Sequence, residues 1–342
     1  MRIYVVGSDY KWSIEKYYLE QWRQYDGVTV ELFPMQNLFY DYYYKSLVNK
    51  IKYRLGISTI LSIINTRLLE EIDGFSPDVI FVFKGFELLP STLVKLAKKN
   101  IFLVNYNPDD PFVFSSPGSG NKNIKQSIPL YNLHFSYNRE TARRINTQYQ
   151  IPARELPFGF NYEFISELEF SVSDKNTVAF IGNPDKVRVA FIKTLLRNDI
   201  KVSVFGEQWA RHIRHENSMI NGPVYGAELS PTIRDYRIQL NMMRPHNLMS
   251  HNMRTFEIPG AGGIQLAPYT LDHARFFEEG KTIFLYKSPS EAIEKIKFLK
   301  DLSNEQSAVL KQKAHQYTVD QGYTYKDRAA YAYQEIAGLL SK

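Results

Sequence analysis

A guanidinium and a carboxylate, those of Arg254 and Glu257, stand one helical turn apart within NMMRPHNLMSHNMRTFEIPGAGGIQLAP, residues 241–268. A planar guanidinium offers a fork of donors that suits a diphosphate, and a carboxylate one turn on can accept two hydroxyl hydrogen bonds from a ribose. The stretch begins as a basic, amide-rich loop and continues as a short helix. A helix entered this way would aim unpaired backbone N–H groups and the positive end of its dipole at an anion. Gly260, Gly262 and Gly263 then break the helix ahead of a strand at 264–266. The i,i+3 spacing equally suits a structural salt bridge. A glycine-rich turn on one side and an amide-rich loop on the other favour a nucleotide-diphosphate site.

Other candidates stand at strand ends. Gly182 and Asn183 close the apolar run 177–182, where backbone could approach a ligand, and Arg188 follows at a helix start; the alternative is a plain tight turn. Asp109 and Asp110 follow the strand ending at Asn105, where a carboxylate could deprotonate or orient an acceptor hydroxyl, although Asp-Asp-Pro is also a turn and cap sequence. Asp9, after the strand 3–6, is a further carboxylate in such a place. His246 and His251 precede Arg254 and could assist the leaving phosphate. His212 and His215 with Glu216 lack a third ligand placed by any motif, so no metal site is expected.

The order of several motifs resembles the group 1 (GT-B) glycosyltransferases, most closely their CgeB-like, spore-maturation-protein branch. They are R-T-F-E-I-P from Arg254, Phe180-Ile181-Gly182-Asn183 with Arg188, Phe205-Gly206-Glu207-Gln208-Trp209, Gly222-Pro223-Val224-Tyr225-Gly226, the segment 276–281, and Tyr323-Thr324-Tyr325 to Arg328. The resemblance covers roughly residues 178–335. It implies a metal-independent transfer from a UDP- or GDP-sugar to a glycan, lipid-linked or protein acceptor, with no tightly bound cofactor. Carried onto this chain, Gly182, Asn183, Arg188, Gly206, Val224, Tyr225, Asn241, Arg254, Thr255 and Glu257 would line the donor site, the 222–226 loop against the base. Asp109, Asp110, Asp9 and His251 would serve the reacting groups. One departure is Met249, where the group 1 pattern has a second glutamate; Asn241, Ser250, His251 or Asn252 could substitute.

The elements that must position these residues follow from composition and pattern. With 342 residues, 44% hydrophobic and 23% charged, the chain can bury two cores. Zero cysteines exclude disulfides and thiolate chemistry. A net charge of +6 without a nucleic-acid motif suits a handler of anionic substrates. Strands at 28–33, 79–85, 101–105, 134–137 and 155–160 alternate with helical stretches, as do runs at 177–182, 201–206, 224–226, 238–241, 264–266 and 282–286. This pattern predicts α/β, two Rossmann-like doubly wound parallel-sheet domains: 1–165 on the acceptor side, 166–324 for the nucleotide sugar, and a 325–342 helix crossing back to the first. The polar, Gly-rich 115–123 reads as a surface loop.

Residues 37–72 read as helical, with Leu47, Ile51 and Leu55 at four-residue spacing opposite Lys45, Asn49 and Lys52. Two readings stand: a helix packed on the sheet with its basic face in water, or a peripheral membrane or acceptor contact through residues 40–60. No apolar run suits a membrane span and the N-terminus reads as a strand, so a cytoplasmic protein, peripheral at most to the inner membrane face, is expected. Rival readings are a sugar-nucleotide epimerase on the same fold, a catalytically silent sugar-nucleotide or glycan binder and, last, a nucleic-acid binder.

Overall fold

The computed structural model describes residues 1–113, 120–161, 173–244 and 250–341. The chain divides into two compact units, Met1–Pro157 with Lys326–Lys342, and Phe158–Tyr325. In the first unit six strands pair in parallel: β1 (Arg2–Val6), β2 (Thr29–Phe33), β3 (Val79–Phe83), β4 (Phe102–Asn107), β5 (Leu133–Ser136) and β6 (Ala153–Glu155). Their order is β2-β1-β3-β4-β5-β6. Continuous apolar runs such as Val-Ile-Phe-Val-Phe of β3 are buried at every position, because helices cover both faces of a parallel sheet. These are α1 (Glu15–Trp22), α2 (Met35–Lys45), α3 (Leu47–Arg54), α4 (Ile60–Phe75), α5 (Pro90–Ala97), α6 (Lys122–Ser127) and α7 (Arg139–Tyr149).

In the second unit β7 (Lys175–Ile181), β8 (Val202–Phe205), β9 (Ser218–Asn221), β10 (Tyr236–Leu240), β11 (Gln265–Pro268) and β12 (Phe284–Tyr286) form another parallel sheet, ordered β12-β11-β10-β7-β8-β9. Its helices are α8 (Lys186–Arg197), α9 (Leu229–Arg234), α10 (Arg254–Gly260), α11 (Leu271–Phe276), α12 (Pro289–Asp301) and α13 (Asn304–Asp320). The core between sheet and helices is built from residues such as Val178, Ile192, Trp209, Leu240 and Ile296. The last helix, α14 (Tyr325–Leu340), packs with the first unit: Trp22 Nε1 of α1 donates to Ala329 O at 2.9 Å, and Arg154 pairs with Glu335 at 2.7 Å.

The α/β class and parallel sheets expected from the pattern are what the chain forms. Three local readings change. The run 224–226 is a loop, and the strand is Ser218–Asn221, an edge strand with Met219 and Ile220 exposed, whose pattern carries little apolar signal. The segment 155–160 is not a strand: β6 ends at its first residue, Glu155, and Phe160 makes a single bridge to Thr324. The stretch 37–72 is three helices, and α3 buries none of its residues, so Leu47, Ile51 and Leu55 do not pack on the sheet. The Gly-rich 115–123 lies largely outside the described residues, as do most of 161–176 and the positions of His246 and Met249.

Each sheet reverses strand order once, between β1 and β3 in the first and between β7 and β10 in the second. Connections leave such a point toward opposite faces, so a crevice opens at the carboxyl ends of the two strands. Both groups of candidate residues lie at these two edges.

Candidate functional site

At the second edge, the turns after β7 and β8 pack on one another. Gly206, at φ +154°, brings its Cα so close that an added Cβ would lie 2.6 Å from Gly182 O and 3.0 Å from Asn183 Oδ1. Asn183 Oδ1 accepts from Glu207 N at 3.0 Å, and Gly182 O accepts from Trp209 Nε1 at 2.8 Å. Gly182, Asn183 and Gly206 thus shape a tight double turn. Arg188 crosses the switch point, donating from Nη1 to Asn183 O at 3.1 Å and from Nη2 to Met242 O at 2.7 Å. Burial, with the nearby Arg244 and Arg254 cations, lowers it to about 10 against the opposing pull of Asp185. Its guanidinium is therefore largely committed to holding the two strand ends together.

Arg254 opens α10, donates from Nε to Ile181 O at 3.4 Å and pairs through Nη1 with Glu257. Both side chains keep partial access to solvent, 23% for Arg254 and 13% for Glu257. The expected unpaired N–H groups of the first turn are modified by the loop itself. Thr255 N donates to Asn252 O and Oδ1, and the N–H groups of Phe256 and Glu257 both reach Met253 O. The loop, rather than a ligand, caps this short helix.

Behind the pair, Asn241 and Thr255 belong to a buried network. Asn241 Nδ2 donates to Thr255 Oγ1 at 3.1 Å, Asn252 Nδ2 to Asn241 Oδ1 at 2.7 Å, and Thr255 Oγ1 contacts His273 Nε2 at 3.0 Å. His273 is pushed down to about 4, chiefly by burial, so it is neutral; with Nδ1 bonded to Pro268 O, its Nε2 accepts from the threonine. His251 is fully buried, 2.9 Å from Asp272 Oδ2, with the rings of Phe158, Phe256 and Phe276 edge-on around it. Burial would raise Asp272, but His251, Ser250 and Arg275 outweigh it and hold the carboxyl at about 2. The expectation that His251 meets the reacting groups gives way to a structural place beneath α10. Val224 packs with Ile181, Phe205 and Ile258, which puts the 222–226 loop beside α10; Tyr225 is 44% exposed.

Arg244 was not singled out by the sequence. Its signal is its place four residues after the end of β10, near enough to Arg188 to be felt there. Arg188, Arg244 and Arg254 thus converge on one strand-order reversal, opposed by Asp185 and Glu257. Like charges repel unless an anion joins them, so the edge is suited to a diphosphate.

The first edge differs. Asp109 forms an ion pair with Lys84 at 2.6 Å, and Asp110 Oδ1 accepts from Phe112 N at 2.8 Å, the turn bond its sequence allowed. Asp9 is exposed, its N–H bonded to Asn37 Oδ1 at 2.8 Å. The carboxyls inside the crevice are two the sequence reading missed, Glu15 and Glu87. Glu15, at the start of α1, accepts from Ser8 N at 3.0 Å, and a Cβ on Gly7 would lie 2.8 Å from its Cγ. Glu87 follows Lys84 and Gly85, consecutive residues at φ +61° and +83°, and Asn65 Nδ2 fixes its carbonyl at 2.9 Å. Burial pushes both acids up to about 7, with Lys84 pulling each down. Glu87 Oε1, Asn107 Nδ2 and Tyr106 Oη, all buried, have no hydrogen-bond partner among the described residues. Only burial distinguishes these two glutamates from surface ones, and burial has no local signature.

Residues 188–334 match the family model described as glycosyl transferase-like. A comparison with curated proteins found no match. Among solved structures, HepE (Alr3699) of Anabaena, crystallised with UDP-glucose, aligns over 100% of this chain and 99% of its own at 14% identity and TM-score 0.66. The fold is GT-B. Sucrose-phosphate synthase (tll1590) from Thermosynechococcus elongatus aligns over 100% and 99% of the two chains at 8% identity and TM-score 0.69. A glycosyltransferase from Rickettsia africae ESF-5 aligns over 99% and 98% at 10% identity and TM-score 0.68. At such identities the likeness is one of GT-B architecture, and the site has to be argued from this chain's own residues.

Proposed function

We propose that the protein is a glycosyltransferase, of the CgeB-like branch, that moves a hexosyl group from a UDP-sugar to a hydroxyl of a glycan, lipid-linked or protein acceptor. The observation that carries the reading is the placing of Arg188 and Arg254 at the β7/β10 strand-order reversal, by their bonds to Asn183 O, Met242 O and Ile181 O, with Glu257 beside Arg254. UDP-glucose bound to the GT-B neighbour HepE makes that donor the first to test. In this reading the donor's pyrophosphate draws Arg254 away from Glu257 and meets Arg244, while Arg188 stays on its carbonyls and adds charge from behind. The freed Glu257 carboxylate takes the ribose hydroxyls. The base lies along 222–226. As the sugar–phosphate bond breaks, the arginines stabilise the charge developing on the departing diphosphate.

The acceptor would bind at the β1/β3 edge of the first unit. Its hydroxyl oxygen forms the new glycosidic bond, and its proton must go to a base. Asp109 is held by the Lys84 ammonium, so we assign proton acceptance to Glu87, at about 7 and with an oxygen lacking a protein partner among the described residues. Glu15 and Asp109 set the charge around it, Asp109 through Lys84. Ribosyl capture by Glu257 and proton capture by Glu87 are separable: thermal shift with UDP-glucose tests the first, and UDP release dependent on added acceptor tests the second. A UDP-glucose shift that survives Arg254→Ala combined with Glu257→Ala would overturn the donor-site reading.

A further inference from the structure

The helix α3 projects apolar side chains into solvent. Leu47, Val48 and Ile51 of α3, with Leu55 and Ile57 just after it, are all more than half exposed, from 56% at Ile51 to 75% at Leu47. Successive residues of a helix turn by about 100°. Leu47, Ile51, Leu55 and Val48 therefore share one arc of about 100°, and Asn49 and Tyr53 fall on the opposite side. That opposite side faces the protein: Asn49 Nδ2 donates to Tyr42 O at 2.7 Å, and the Tyr53 ring meets Phe39 and Tyr43. Ser46 caps the helix, accepting from Asn49 N at 3.1 Å. The apolar arc thus points outward on a capped helix.

Its charge names the partner. Lys52 flanks the arc on one side and Arg54 and Lys50 on the other, Lys45 precedes the helix, and no Asp or Glu occurs from Tyr42 to Leu69. We propose that α3 and the adjoining Leu55–Ile57 turn form a membrane-surface anchor that inserts its apolar arc among the acyl chains of an anionic bilayer, with the flanking cations on the lipid headgroups. A second copy of the chain fits poorly, because a two-fold contact would bring the basic rims together. A convex ridge with no buried residue also offers no groove to a partner helix. The basic face stays in water with or without the membrane, but five exposed apolar side chains need a partner for their cost to be offset.

The test is co-sedimentation of the full chain with vesicles of phosphatidylglycerol and phosphatidylcholine, against phosphatidylcholine alone. Binding is expected only to the anionic vesicles and should weaken with salt. Leu47→Glu with Ile51→Glu should abolish it, and Lys52→Gln with Arg54→Gln should weaken it about thirtyfold, from about fivefold for each charge near an anionic surface. Both pairs are exposed, and unchanged melting by circular dichroism will show that the variants fold. The proposal fails if the unaltered chain stays in the supernatant with anionic vesicles. It fails equally if either double variant binds as the unaltered chain does, or if the chain is a dimer that Leu47→Glu with Ile51→Glu converts to monomer. None of these outcomes depends on donor binding, so the transferase reading and the anchor can fail separately.

Discussion

The two sheets use the same device, a reversal of strand order, to opposite electrostatic ends. At the second edge cations gather beside a buried polar network, in which Asn241, Asn252, Thr255 and neutral His273 answer one another. At the first edge buried acids gather with polar atoms that have no hydrogen-bond partner among the described residues. A bonded network holds a shape and changes little when a ligand arrives. Buried carboxyls near neutrality instead exchange protons, at a cost in stability whenever they ionise. In the function proposed above, the difference would divide the labour of a transfer, one edge holding charge and the other moving a proton.

The comparison breaks first at Glu257 and Arg254. With UDP-glucose at 100 times its dissociation constant, the protein should gain about 2.7 kcal/mol of stability, and Arg254→Ala with Glu257→Ala should remove that gain. Next comes Glu87→Gln, which should lower turnover by about 100-fold or more and leave the UDP-glucose shift intact. A variant that instead lost the shift would place Glu87 on the donor side.

The pH dependence of stability sharpens the contrast. Glu15 and Glu87 have folded-state values raised to about 7, so the stability linked to their protonated forms is present below about 4.5 and is lost as pH rises through about 7, up to about 3 kcal/mol for each. His273 and His134, pushed down to about 4 by burial, act oppositely: their contribution is full above about 6.5 and is lost as pH falls through about 4. Urea unfolding from pH 4 to pH 8 should therefore show the alkaline loss shrinking in Glu15→Gln and Glu87→Gln, with the acid loss unchanged. Thr255→Val should destabilise by about 1–3 kcal/mol, since it leaves Asn241 and His273 each short of a partner. Smallest is Asp109→Asn: its partly exposed pair with Lys84 should be worth no more than about 1 kcal/mol in unfolding experiments.

Different parts of this were legible in the sequence for different reasons. Continuous runs such as 79–83 announce strands buried on both faces, and their alternation with helices announces parallel sheets. Ser218–Asn221 escaped because an edge strand need not be apolar, and 224–226 misled because an apolar pair beside glycines is as good a loop. The Arg254 and Glu257 contact follows from helix geometry alone. His251 looked like a polar loop residue open to a ligand, yet aromatic rings enclose it. The apolar spacing of Leu47, Ile51 and Leu55 marked an amphipathic helix correctly but was silent on which face turns inward.

What the sequence determined by itself is whatever depends on neighbours along the chain: the strands and helices, their class, and the pairing of Arg254 with Glu257 one turn apart. Tertiary structure decided which carboxyls are buried, which arginines meet and which apolar face stays wet. Glu15 and Glu87 lie 72 positions apart, and the environment that raises both comes from strands joined only by folding. Desolvation and charge act through space, so no reading along the chain could have assigned them.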